Sequence, residues 1–142
     1  MSTQIVRTIP ILLSIARIHE GGNAGNGRYF FTFDPHPVQT GDTAAILDFQ
    51  LSKETPKDLV IESLISSDAL QQLGEPLIDA DRRRVQVENR NTAPYLMQLA
   101  LVVRDNLTGE VIVCDPQVVN TPPHVRAELA AQSQESRPSI RS

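Results

Sequence analysis

The hydrophobic residues of this chain recur mostly at every second position, whereas a helix would repeat them every 3.6 residues. Alternation with a period of two is typical of strands that bury one face. We predict such strands over residues 4–18, 28–33, 43–51, 58–66, 84–88, 95–104 and 110–120. In the second of these stretches, the alternation places Tyr29, Phe31 and Phe33 on one face.

Turn residues between these stretches refine the prediction. Asn26-Gly27 is the dipeptide that favours a type I′ hairpin turn. Pro10 lies inside the first stretch and predicts an edge strand or a bend between two short strands, because proline cannot donate to a ladder. The stretch at 58–66 is apolar on both faces, which predicts a central position in a sheet.

Short strands separated by frequent turns are typical of β-sandwiches. We therefore predict an all-β fold, a single β-sandwich of about 7–8 mostly antiparallel strands, over residues 1–122. Residues 123–142 are rich in Ala, Gln, Ser and Arg, and we predict a disordered or partly helical C-terminal tail there. Residues 67–73 are predicted to form one helical turn that Gly74 ends.

Composition narrows the class of protein. The chain has 142 residues, of which 40% are hydrophobic and 21% charged, and these values are typical of one globular domain. Its net charge of −4 argues against a nucleic-acid partner. No apolar stretch reaches the roughly 20 residues that span a bilayer, so we expect no membrane partner. The first residues lack the pattern of a signal peptide, which predicts a cytoplasmic location.

The sequence lacks the motifs of several familiar sites. Cys114 is the single cysteine, which excludes an intrachain disulfide and any zinc motif built on paired cysteines. The three histidines have no metal-ligand spacing, and His36, between two prolines, is interpreted as a loop residue. Phosphate-loop and serine-hydrolase motifs are absent. We therefore predict no metal and no cofactor.

One dipeptide, Asp115-Pro116, remains as a candidate reactive site. Asp115 and Pro116 interrupt the apolar run VIVCDPQVVN, where a strand is otherwise predicted. Proline inside a strand usually marks an edge or a bulge, so this position is either a bulge or a reactive bond. The Asp-Pro bond is labile, because the aspartate carboxyl group can attack its own carbonyl carbon and the proline nitrogen leaves once it is protonated.

Two segments resemble the DP-EP family of small bacterial proteins: RYFFTFDP at 28–35 and CDPQVVNTP at 114–122. The resemblance covers about residues 5–122 and implies a compact β-sandwich that cleaves itself at an Asp-Pro bond. It implies that Asp115 and Pro116 form the scissile pair and that Tyr29 and Asp34 lie beside it. On this hypothesis a buried carboxyl group protonates the proline nitrogen and Tyr29 stabilises the oxyanion.

Two functions remain open at this point. The first is a self-processing protein, an aspartic-type self-cleaving endopeptidase that acts only on its own Asp115-Pro116 bond. A homo-oligomer formed by pairing of sheet edges would fit this function. The alternative is a non-catalytic structural or binding β-sandwich module in which Asp115-Pro116 is a β-bulge. Aromatic residues make up only 4% of the chain, too few to propose an exposed sugar- or peptide-binding platform.

Overall fold

A computed structural model describes residues 7–41, 43–66, 72–92 and 95–120 of the chain. Within these residues it confirms the predicted all-β class, since only strands, turns and irregular segments occur. The predicted tail at 123–142, and most of the predicted helical turn at 67–73, lie outside the described residues. The strands are β1 (Arg7–Arg17), β2 (Tyr29–Asp34), β3 (Val38–Gln39), β4 (Ala45–Leu51), β5 (Leu59–Ser66), β6 (Leu77–Ile78), β7 (Arg84–Asn89), β8 (Tyr95–Asp105), β9 (Val111–Cys114) and β10 (Gln117–Asn120).

The strands form two sheets. The first has the order β2-β1-β4-β7-β6, and the second has the order β3-β10-β8-β5, with β9 beside β8 on the same side as β10. The pairs β1–β4 and β3–β10 are parallel, and the other pairs are antiparallel. The sandwich is therefore mostly antiparallel, as the sequence predicts.

The core lies between the sheets and is aliphatic with few aromatic residues. Alternate residues of both sheets are fully buried, as period-two strands require: they include Ile11, Leu13, Leu47, Phe49, Leu59, Ile61, Leu99, Leu101 and Val103. Phe33 meets Phe49 edge to face, with their ring centroids 6.2 Å apart. Burying each of these large side chains contributes roughly 1.5–3 kcal/mol, so the inward-facing residues hold the two sheets together.

The turn predicted at Asn26-Gly27 is present in the connection between β1 and β2. Asn26 and Gly27 have φ angles of 57° and 83°, and the Arg28 N–H donates to the Gly25 carbonyl at 3.2 Å. Two central residues with positive φ define the type I′ turn predicted there. The edge strand or bend predicted from Pro10 is wrong, because β1 runs unbroken through it and lies between β2 and β4. Proline is tolerated there because β1 pairs with β4 alone at Pro10 and gains its second neighbour only from Leu12 onward.

The sequence misplaces one strand and misses two. Among the described strands, β5 lies at an edge of its sheet rather than in the centre, because β8 is its one neighbour in strand order. Its second apolar face is turned to solvent, where Ile65 is 58% exposed. The two-residue strands β3 and β6 escape prediction because two residues cannot display a period.

Candidate functional site

The Asp115-Pro116 bond lies between β9 and β10, which follow one another along the same side of β8. Cys114 pairs with Leu101 and Gln117 pairs with Gln98, so both chains advance by three residues across the interruption. A bulge would add a residue on one side only. The ladder therefore shows no bulge, one of the two alternatives that the sequence left open, and it keeps one register on both sides of Asp115 and Pro116. The irregularity of this sheet lies elsewhere, between Ile61 and Ser63 of β5.

The ladder fixes the direction of the scissile carbonyl. The Asp105 N–H donates to the Glu110 carbonyl at 2.8 Å, and the Leu99 N–H donates to the Pro116 carbonyl at 3.4 Å. In an antiparallel pair such bonded positions alternate with outward-facing ones. Residues 110, 112, 114 and 116 therefore turn their backbone groups toward β8. Residues 111, 113 and 115 turn theirs away, so the Asp115 carbonyl points to the open side of the strand.

Asp115 and Pro116 differ in burial although they are adjacent. The Asp115 side chain is exposed, and Pro116 is buried. Asp115 borders a cavity of about 420 Å³, whose other lining residues are Asn23, Phe30, Phe31, Thr32, Phe33 and His36. Water thus reaches the Asp115 carboxyl group, while the residue that follows the bond is fixed in the fold.

His36 is the other titratable residue among those that line the cavity. It lies between β2 and β3, two residues before Val38, which pairs with Val118 of β10. The sequence interpretation made His36 a loop residue and gave it no role. The signal that would have found it is β3, which is too short to be recognised in the sequence.

Tyr29 belongs to a different cluster. Its buried hydroxyl donates to Asp105 Oδ2 at 2.5 Å. Arg17 binds both oxygens of the same carboxylate, at 2.9 Å and 2.7 Å, and also contacts Asp58 at 2.7 Å. The Leu107 N–H donates to Asp105 Oδ1 at 2.9 Å. This carboxylate therefore has partners on β1, on β2 and in the hairpin that joins β8 to β9.

The protonation states of this cluster follow from its contacts. The hydrogen bonds from Arg17 hold the pKa of Asp105 well below its usual range, with Tyr29 and the Leu107 N–H adding to the effect against the opposing cost of burial. Burial, reinforced by the bond to Asp105, raises the pKa of Tyr29. A neutral phenol thus donates to a buried, ionised carboxylate, an arrangement suited to stability.

The structure does not gather the four sequence-predicted site residues into one place. β2 lies in the first sheet, and β9 and β10 lie in the second. Arg28, just before β2, contacts Glu110, just before β9, at 3.3 Å, and residues 30–33 of β2 line the same cavity as Asp115. Asp34 ends β2, is exposed, and is not among the residues that line the Asp115 cavity. Among the described residues, no hydrogen bond joins Asp115 to Tyr29 or Asp34.

Other reactive groups near the bond contribute little. Burial, and then the charge of Asp115, raises the pKa of Cys114 to about 12, so the fully buried thiol is not a nucleophile at neutral pH. In the described part of the chain, no three His, Cys, Asp or Glu side chains cluster as a metal ion would require. The same residues contain no helix that is long and apolar enough to cross a membrane.

The fold and this edge define an all-β sandwich with one exposed Asp-Pro bond in an otherwise regular strand. No protein-family model matches the chain, and no curated protein matches it. A link to the DP-EP family therefore rests on the two sequence motifs alone.

Proposed function

We propose that this protein is a self-processing β-sandwich, related to the DP-EP family and located in the cytoplasm, that breaks its own Asp115-Pro116 bond. One observation carries the proposal. Asp115 offers an exposed carboxyl group and an outward-facing carbonyl to an open cavity, while Pro116 is buried and held against β8. The reacting atoms are accessible to water and the leaving segment is fixed.

The chemistry needs only the bond and one water molecule. A carboxylate oxygen of Asp115 attacks the carbonyl carbon of the same residue, and a five-membered cyclic anhydride forms. The bond to the Pro116 nitrogen breaks, and that nitrogen takes up a proton and leaves as a secondary amine. Water then opens the anhydride, so that Asp115 ends the first fragment with a free α-carboxyl group and Pro116 begins the second.

His36 is the residue we assign to proton delivery. Histidine is the side chain that most often transfers protons in catalysis, and His36 shares the Asp115 cavity. Tyr29 receives no catalytic role in this proposal, because its hydroxyl is engaged by Asp105. Asp34 receives none either, because it lies outside the lining of the cavity. The proposed machinery is thus Asp115, Pro116 and His36.

The product would stay assembled after cleavage. Residues 117–120 pair with β8 on one side, and Val118 and Val119 pair with β3 on the other. Val118 is also fully buried. Cleavage therefore leaves a nicked sandwich rather than two separated pieces, and only denaturation would separate the fragments.

One observation favours the alternative, a non-catalytic structural or binding module. The strand keeps its register through Asp115 and Pro116, so the ladder shows no distortion that would drive the bond toward cleavage. On this alternative the dipeptide only removes one backbone donor from the ladder. The two functions differ in whether the backbone breaks.

Intact-mass spectrometry of denatured aliquots, taken over days from the native protein, tests the proposal. We expect fragments 1–115 and 116–142 to accumulate in the wild type, to be absent in Asp115→Ala, and to form more slowly in Asp115→Glu, whose anhydride ring is one atom larger. His36→Gln should slow cleavage without shifting the unfolding midpoint. If the native wild type kept its full-length mass, self-cleavage would be refuted and the protein would be a non-catalytic module.

A further inference from the structure

The sandwich closes two of its sheet edges with side-chain or backbone groups of neighbouring loops. At the free edge of β2, the Phe31 N–H donates to Asn23 Oδ1 at 2.8 Å, and the Asn23 side-chain amide donates back to the Phe31 carbonyl at 2.9 Å. Ala24 forms an isolated bridge with Tyr29 beside it. At the edge of β5, Ile61 N–H donates to the Arg82 carbonyl at 2.7 Å. Such devices prevent strand addition.

The edge of β9 carries no such device among the described residues. The N–H and C=O groups of Val111, Val113 and Asp115 point away from β8, and no described residue pairs with them. Their side chains are exposed too, Val111 by 47% and Val113 by 52%. Natural edges are often protected by lysine, but the only lysines of the chain are Lys53 and Lys57, in the connection between β4 and β5.

Proline does not protect this edge either. Pro116 lacks a backbone N–H, yet its missing donor belongs to the side that faces β8, as the bond from the Leu99 N–H to the Pro116 carbonyl shows. Each outward-facing residue, 111, 113 and 115, retains both its donor and its acceptor. Residues 111–115, which are β9 and Asp115, therefore form a template whose outward backbone groups no described residue pairs and which exposes two valines.

We propose that β9 is the contact surface between two copies of this chain, which pair antiparallel about a two-fold axis through Val113. A second copy is the partner that fits, because this register matches the edge with itself. Val113 faces Val113 of the other copy, and Val111 faces Asp115 in both directions. All six outward donors find acceptors, and the two Asp115 carboxylates do not face each other.

The pairing would also act on the proposed cleavage, and this step rests on the proposed function. The outward carbonyl of Asp115 would accept a bond from Val111 of the other copy, and the Asp115 N–H would donate to the Val111 carbonyl. A ladder on both sides fixes the backbone that must rotate for the carboxylate to attack. The dimer should therefore cleave several-fold more slowly than the monomer, so fragments should form faster in dilute protein.

Disulfide trapping tests the register directly. In an antiparallel ladder, residues that exchange hydrogen bonds have Cα atoms about 5.5 Å apart, within the range that a disulfide spans. Val113→Cys should therefore give a covalent dimer under mild oxidation. In Val111→Cys the two thiols would lie four residues apart along the ladder, about 13 Å, and should not join. The buried Cys114 provides the same background in every variant.

A third variant controls for random collision. Leu107 is 68% exposed at the hairpin beside β9 but is not part of its edge. We expect Val113→Cys to crosslink at least ten-fold faster than Leu107→Cys, and denaturant to remove the difference. In sedimentation experiments, the mass of the wild-type protein should rise with concentration. Val113→Lys should stay monomeric, and Leu107→Lys should behave like the wild type.

Equal crosslinking rates for the Val113 and Leu107 variants, or a wild type that is monomeric at every concentration, would overturn the pairing. Faster crosslinking of the Val111 variant would overturn the register about Val113. These readouts use uncleaved protein, verified by mass, so they stand even if the Asp115-Pro116 bond never breaks. Cleavage that does not depend on concentration would remove only the link between the dimer and cleavage.

Discussion

Tyr29→Phe separates the structural account of this residue from the catalytic one. The substitution removes a single hydroxyl, which lies 2.5 Å from Asp105 Oδ2 in the interior. A hydrogen bond to a charged group contributes roughly 1.5–3 kcal/mol. Arg17 Nε remains bonded to the same carboxylate oxygen at 2.9 Å, so the carboxylate is not orphaned. We therefore expect a loss near the low end, about 1.5–2 kcal/mol.

Urea unfolding followed by circular dichroism measures this loss, which should lower the melting temperature by about 5–10 °C for a domain of this size. The loss should be nearly constant from pH 5 to pH 8. The pKa of Asp105 is depressed in the folded state, so its contribution is present above its ordinary pKa of about 3.9 and fades as the pH falls toward the folded value. The difference between Tyr29→Phe and wild type should shrink over that acid range.

A double-mutant cycle with Asp105→Asn gives the control. The two substitutions should show a coupling of about 1 kcal/mol, because both act on one hydrogen bond. The native Tyr29→Phe protein should cleave Asp115-Pro116 at the wild-type rate. Stability within about 0.5 kcal/mol of wild type, or absence of coupling, would refute the role given to this hydroxyl. If a folded Tyr29→Phe protein did not cleave, Tyr29 would have the catalytic role at the scissile bond that the family resemblance implies.

Three further predictions concern Tyr29 at alkaline pH, Arg83 and Asn23. Because burial raises the pKa of Tyr29, its stabilisation is fully present below the ordinary tyrosine pKa near 10 and is lost as the pH rises through the folded value; alkaline unfolding should show this loss in wild type but not in Tyr29→Phe. Arg83 donates to four backbone carbonyls at 2.8–3.2 Å, so Arg83→Lys should lower the free energy of unfolding by about 2 kcal/mol; an unchanged urea midpoint would contradict this. Asn23→Ala should cost about 1 kcal/mol and increase light scattering with concentration, because it opens the β2 edge at Phe31; unchanged scattering would show that Ala24 closes that edge alone.

The period-two pattern is enough to predict the fold class and most strands. Alternation is strong in residues 28–33 and 43–51, where one face is buried apart from the half-buried Phe31, and those stretches match β2 and β4. It misleads in β5, where apolar residues occupy a face that no strand covers. The local hydrophobic pattern indicates which faces of a strand are apolar, but it does not indicate whether another strand or sheet covers each face.

The site was less predictable because its geometry depends on long-range pairing. Tyr29 and Asp105 are 76 residues apart in sequence, and no local signal links a strand beginning to a distant strand end. His36 reaches the Asp115 cavity through a two-residue strand. Register across Asp115-Pro116 depends on pairing with β8, so the local sequence does not distinguish a bulge from an uninterrupted ladder there.

The chain holds a second Asp-Pro bond, Asp34-Pro35, which makes the most direct test internal. Both aspartates are exposed, but only Asp115 lies in the cavity with His36. The measurement is the ratio of cleavage at the two bonds by intact mass, in native protein and in protein unfolded in urea at the same pH. The account predicts that cleavage at Asp115 exceeds cleavage at Asp34 at least ten-fold in the native state, and that the ratio falls toward one in urea. Equal ratios in both states would mean that the fold contributes nothing to breaking this bond.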